Sequence, residues 1–176
     1  MKNKNVLLIL ALILIVGLIL IIEKPLGAKD VTSQKTTNLK IGDAAPDFTL
    51  LDTTDKNVAL SDFKGKKAVI VNFWASWCYA CISEMPMLQQ ASQNYKDDLV
   101  VLGINRQESK KDAIKFAYSI GVSFPLLLDT DRKINDLYGV TGLPVTYFIN
   151  KDGIITGLKR GELIKEEVDN NIQKMI

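Results

Sequence analysis

The sequence predicts a layered α/β domain built on a mixed central sheet. Ala68–Trp74 and Leu99–Ile104 are apolar runs of the kind found in strands covered on both faces. Between them, Cys81, Met85, Leu88, Ala91 and Tyr95 recur at helical spacing within Cys78–Tyr95. Strand, helix and strand with short links make a βαβ unit, which pairs its strands in parallel through a right-handed crossover. Val145–Ile149 and Ile154–Leu158 flank Asn150-Lys151-Asp152-Gly153, a hairpin signal that adds antiparallel strands.

Taken in chain order, the first element is an N-terminal transmembrane helix. Val6 to Ile22 carries no polar side chain. As a helix it spans about 26 Å, slightly under a hydrocarbon core of roughly 30 Å, and Lys4 and Lys24 can snorkel to cover the difference. The run exceeds the roughly 7–15 residues of a signal-peptide core, and Leu26-Gly27-Ala28 puts a bulky residue where cleavage prefers a small one. Residues 1–23 therefore read as an uncleaved signal anchor, with a cleaved signal peptide as the alternative. Lys2 and Lys4 hold the amino terminus inside. The expected location is the cell membrane, single-pass, with the folded domain on the extracytoplasmic side. Residues 24–38 read as a flexible tether. Residues 39–176 are enough for one domain with a core and too few for two.

Within that domain, Asp47–Leu51 and Asn57–Leu60 form an expected N-terminal β-hairpin around Asp52-Thr53-Thr54-Asp55. After the βαβ unit come a helix at about Lys111–Ile120, a strand at Phe124–Leu128 and a short helix at Arg132–Tyr138. The second hairpin follows. A last helix over about Glu162–Met175 places Ile164, Val168, Ile172 and Met175 on one face.

Composition narrows the chemistry. The chain has no histidine and two cysteines. Histidine triads, histidine metal sites and a Cys/His zinc site, which needs about four ligands, are excluded, and no cofactor is expected. The formal net charge is +2. Lys64-Gly65-Lys66-Lys67 and Lys110-Lys111 are short solvated groups rather than a nucleic-acid footprint.

The chemistry lies in Trp77-Cys78-Tyr79-Ala80-Cys81, where the central strand ends and a helix begins. Positions i and i+3 in a first helical turn bring Cα atoms to roughly 5–6 Å, within reach of a disulfide. Cys78 lies at the helix N-terminus, where free N–H groups and the dipole stabilise a thiolate. Attack on a disulfide requires that thiolate. Cys81, one turn in, is expected to be more covered and to resolve a mixed disulfide. The bland alternatives are a static disulfide or two core cysteines. A disulfide closing so short a loop stabilises little by chain entropy, which argues against a purely structural role.

Phe73-Trp74-Ala75-Ser76-Trp77-Cys78-Tyr79-Ala80-Cys81, with Pro86 further on, resembles the thioredoxin-fold motif. The resemblance is to membrane-tethered extracytoplasmic thiol-disulfide oxidoreductases of the ResA/TlpA type and covers about Leu39 to the C-terminus. Supporting stretches are Gly42–Phe48, Leu60–Lys66, Tyr138–Pro144 and Asn150–Gly153. It implies a thioredoxin-like fold and a redox-active Cys78/Cys81 pair. It further implies that Pro144 is a cis proline facing the pair, beside which Leu143 pairs its backbone with an extended substrate, and that Glu84 lies close to the cysteines. A nearby carboxylate disfavours a thiolate and, once protonated, can return a proton; a solvated helix glutamate is the alternative. Asn72 stands where cytosolic thioredoxins carry a buried Asp, and Asn does not titrate. Trp74 and Trp77 are expected to pack and shape the site, Trp77 within the substrate-binding surface. Tyr79-Ala80 departs from relatives with Pro in the second position.

The implied partners are disulfide-containing exported proteins, with apocytochrome c heme-site cysteines foremost, and a membrane dithiol reductant that regenerates the pair. Cytochrome c biogenesis follows as the expected setting. Three alternatives stand beside the reductase: a disulfide-forming oxidase of the same fold, a thiol peroxidase, and a binding module whose cysteines are incidental. The peroxidase reading meets Ala75 three residues before Cys78, where a peroxide-holding Thr is needed.

Overall fold

The structure is a computed structural model that describes residues 38–176. The anchor expected at 1–23 and all of the expected tether except Asn38 lie outside the described residues. Among the described residues no helix is long and apolar enough to cross a membrane.

The strands are β1 (Thr49–Leu51), β2 (Asn57–Ala59), β3 (Ala68–Trp74), β4 (Leu99–Arg106), β5 (Leu126–Asp129), β6 (Val145–Ile149) and β7 (Ile155–Arg160). The helices are α1 (Tyr79–Asn94), α2 (Lys110–Ile120), α3 (Lys133–Leu137) and α4 (Lys165–Met175), with a 3-10 turn at Leu60–Phe63 after β2. Five strands form one sheet in the order β5-β4-β3-β6-β7. β3 pairs with β4 in parallel and with β6 antiparallel, so the sheet is mixed, as the patterning predicts.

β3 is buried along its whole length, which explains its apolar run. Its alternating side chains serve two cores. Ile70 and Trp74 join one cluster with Met85 and Leu88 of α1, Ala113 of α2, and Val168, Ile172 and Met175 of α4. Val69, Val71 and Phe73 join the opposite cluster with Phe48, Leu60, Tyr138 and Tyr147. Each fully buried Leu or Phe contributes roughly 1.5–3 kcal/mol from apolar transfer, so the two clusters anchor the sheet from both sides. Asn72 is the polar exception on β3, on the same parity as Ile70 and Trp74.

The expected N-terminal hairpin forms, as a separate two-stranded sheet, while the expected start of the last helix needs correction. A single bridge, Asp52 to Leu127, joins it to β5. The last helix begins at Lys165, so Glu162 and Leu163 lie in the preceding loop and Ile164 is its exposed N-cap. Val168, Ile172 and Met175 form the buried stripe without Ile164. Helical spacing fits Ile164, but the Leu163 N–H has a partner outside the helix.

Candidate functional site

The site is built at the C-terminal end of β3. β3 stops at Trp74, and Ala75–Trp77 form the loop that leads into α1. Cys78 is the N-cap of α1, with extended backbone. Its N–H donates to the Ala75 carbonyl at 3.1 Å, and its carbonyl accepts from the Ile82 N–H at 3.1 Å. The Cys81 N–H donates to Cys78 Sγ at 3.2 Å. An otherwise unpaired helix-terminal N–H is thus aimed at the first sulfur, which is how a cap satisfies the free donors there.

Cys78 and Cys81 are joined as a disulfide with Cα atoms 5.2 Å apart. Cys81 is fully buried, whereas Cys78 keeps 7% of its surface exposed. Cys78 is the less buried of the two. Trp77 is 67% exposed and Tyr79 83% exposed. The expectation that Trp77 packs is therefore corrected: both rings stand out beside Cys78. Trp74 is the packed tryptophan, stacked on Phe116 with ring centroids 5.0 Å apart.

The Leu143–Pro144 bond is cis. Pro144 directly precedes β6, whose Val145 pairs with Phe73 of β3. The register sets Pro144 at the sheet end from which the cysteine loop springs. Pro144 is buried and Leu143 half-buried. The Pro144 carbonyl accepts from the Gly161 N–H at 2.9 Å, which ties this loop to the one entering α4.

Glu84 is only 1% exposed, so the solvated alternative is excluded. It follows Cys81 by three residues on α1, a spacing that puts both on one helix face. Its Oε1 accepts from Asn72 Nδ2 at 2.7 Å and its Oε2 from the Leu163 N–H at 2.8 Å. Asn72 Nδ2 also donates to Thr146 Oγ1 at 2.9 Å, across the β3–β6 register. Burial raises the Glu84 pKa to about 7, although the Leu163 and Asn72 hydrogen bonds pull the other way. A carboxyl poised there gains and loses a proton near neutral pH. Asn72 Oδ1 is buried without a hydrogen-bond partner.

Sequence reasoning missed the Leu163 amide as a partner of Glu84 and Thr146 as a partner of Asn72. Thr146 interrupts the apolar run of β6 as Asn72 interrupts that of β3, and the two stand in register. That coincidence was a usable signal. The Leu163 amide carried none.

A sulfur capping a helix, a second sulfur one turn deeper, a cis-proline loop at the same sheet end and a buried carboxyl on the same helix face define a thioredoxin-like thiol-disulfide exchange centre. The chain belongs to the AhpC/TSA family, whose model matches residues 41–157. It is 39% identical to thiol-disulfide oxidoreductase ResA of Bacillus subtilis over 72% of this chain and 71% of that one. It is 35% identical to thioredoxin-like protein YneN of the same organism, over 80% of this chain and 83% of that one. A Chlorobium tepidum crystal structure, classed provisionally as thiol:disulfide interchange protein DsbE, superimposes with a TM-score of 0.73 at 33% identity. That match covers 78% of this chain and 98% of the other. The protein is a thiol-disulfide oxidoreductase of this type.

Proposed function

We propose that the protein works as a reductase of disulfides in exported proteins, anchored by residues 1–23 and acting outside the cytoplasm. Reduced Cys78, as thiolate, attacks one sulfur of a substrate disulfide. A mixed disulfide forms and the other substrate sulfur leaves as a thiolate. Cys81 gives its proton to the Glu84 carboxylate and attacks Cys78 Sγ. The Cys78–Cys81 disulfide closes and the first substrate sulfur departs as a thiolate, which takes the proton held by Glu84, while the thiolate released earlier takes one from water. The substrate has gained two electrons and two protons. A membrane dithiol restores the pair by the reverse exchange. Leu143, beside the cis Pro144, offers its backbone to an extended substrate, and Trp77 offers an exposed apolar face. Apocytochrome c, with paired heme-site cysteines, is the proposed substrate class.

The observation that carries this reading is the asymmetry of the pair, Cys78 at a helix cap with residual exposure and Cys81 fully buried one turn in. Two measurements test it. Cys81→Ala should accumulate mixed disulfides with exported cysteine proteins, and Cys78→Ala should abolish disulfide reduction. Normal turnover by Cys81→Ala would refute the assignment of roles. The reduction potential decides direction: about −270 mV supports a reductase, and about −120 mV an oxidase. The peroxidase alternative finds no hydroxyl at Ala75, which is fully buried and whose carbonyl is engaged by Cys78.

A further inference from the structure

A second carboxylate reaches the cysteine loop from the other side. Glu108 lies between β4 and α2, far from Cys78 in sequence, yet it grips Ser76, two residues before the nucleophile. The Ser76 N–H donates to Glu108 Oε2 at 2.8 Å, and the Ser76 hydroxyl donates to Oε1. Asn105 Nδ2 donates to Oε2 at 2.6 Å, while the Glu108 N–H returns a bond to Asn105 Oδ1 at 3.2 Å. Asn105 is fully buried and stands in register with Trp74, the last residue of β3. The clamp therefore joins the ends of two adjacent strands.

Glu108 is fixed from both sides. Gln107 before it adopts φ 59°, a left-handed conformation that a non-glycine residue enters only at a cost. The Gln107 N–H donates to the Asp129 carbonyl at 3.2 Å. Ser109 after it caps α2, accepting from the Asp112 N–H at 3.1 Å. A strained turn and a helix cap together aim one carboxylate at one loop, although a lone surface acid needs neither.

We infer that Glu108 is a positioning residue for Cys78: through Ser76 it fixes the loop that presents the nucleophilic sulfur, and its charge opposes the thiolate. The inference rests on the dithiol reading above. The chain from Ser76 to Cys78 spans at most about 7 Å. A carboxylate bonded to Ser76 therefore stands within one short loop of the sulfur, and a charge about 8–10 Å away in partly solvated surroundings shifts a thiol midpoint by about 0.5–1 unit. Helix α1 favours the thiolate and Glu108 tempers that effect. Glu84 is the acid on α1 itself, whereas Glu108 acts from the loop after β4.

The test uses the full chain in detergent. Glu108→Gln is nearly isosteric: its carbonyl can take the Ser76 and Asn105 N–H bonds, and its amide can donate to a rotated Ser76 hydroxyl. The pH profile of Cys78 alkylation is read in a Cys81→Ser background, and insulin reduction in the native pair. Glu108→Gln should lower the alkylation midpoint by about 0.5–1 unit. Ser76→Ala should lower kcat/KM for insulin by roughly three- to tenfold, and Ser76→Thr, which keeps the hydroxyl, should restore it to within about twofold. An unchanged midpoint in Glu108→Gln overturns the electrostatic role. A wild-type rate in Ser76→Ala, or equal impairment in Ser76→Thr, overturns the positioning role and remains decisive if the glutamine variant does not fold. If the otherwise unmodified protein neither reduces insulin nor alkylates below an ordinary thiol, the dithiol reading itself fails, a distinguishable result.

Discussion

Glu84 shows how far a single residue could be read in advance. The cysteine pair was legible because its spacing and its place at a strand-to-helix junction are local features. Proximity of Glu84 to the pair came only with the family resemblance, and its burial was not legible. The loop that contributes the Leu163 N–H lies far along the chain and meets Glu84 only in the folded domain. That burial has a measurable consequence. The folded pKa is raised from 4.5 to about 7, so the folded chain binds more protons than the unfolded chain between those values. This contribution to stability is full below about pH 4.5 and is lost as pH rises to 7, on the order of 3 kcal/mol in all. Urea unfolding of the oxidised protein at pH 5 and pH 7.5 should therefore show a fall in stability that Glu84→Gln largely abolishes. An equal fall in the variant would place the titration elsewhere.

At the scale of elements, apolar patterning found every main-sheet strand and every described α-helix, and it erred at ends. Those ends are set by single hydrogen bonds rather than by periodicity, as at the start of α4. The 3-10 turn at Leu60–Phe63 escaped notice because Leu60 fits an alternating strand as well as the buried anchor it is. Tight element contacts yield a prediction at Gly103 of β4. A Cβ there would meet Leu126 Cδ2 and Phe124 Cε2 at 2.9 Å and Trp74 Nε1 at 3.0 Å. Gly103→Ala should destabilise the domain by about 1–3 kcal/mol through overpacking beneath the active-site loop. On α1, Leu88 is fully buried, and Leu88→Ala should cost about 2–5 kcal/mol by leaving a cavity. Denaturant midpoints check both, and a loss below about 0.5 kcal/mol at either site would contradict the packing described.

Over the whole molecule, fold class and chemistry are readable because each local choice agrees with the layered sheet: buried parallel strands, amphipathic helices and a hairpin turn. The separate hairpin sheet was less legible, since alternation specifies a strand but not the sheet it joins. Residues 6–22 give the chain its proposed setting. The full chain should remain in the membrane pellet after alkaline carbonate washing, and its domain should be open to protease added outside intact cells. Release by the wash would indicate a cleaved or peripheral form. The central claim is that Cys78 is held as a ready thiolate at the start of α1. Its most direct test is the rate of iodoacetamide reaction with the reduced protein as a function of pH. A midpoint clearly below the roughly 8.5 of a free cysteine, with exchange against a model disulfide, is predicted. A midpoint at or above that value, with no exchange, would contradict the account.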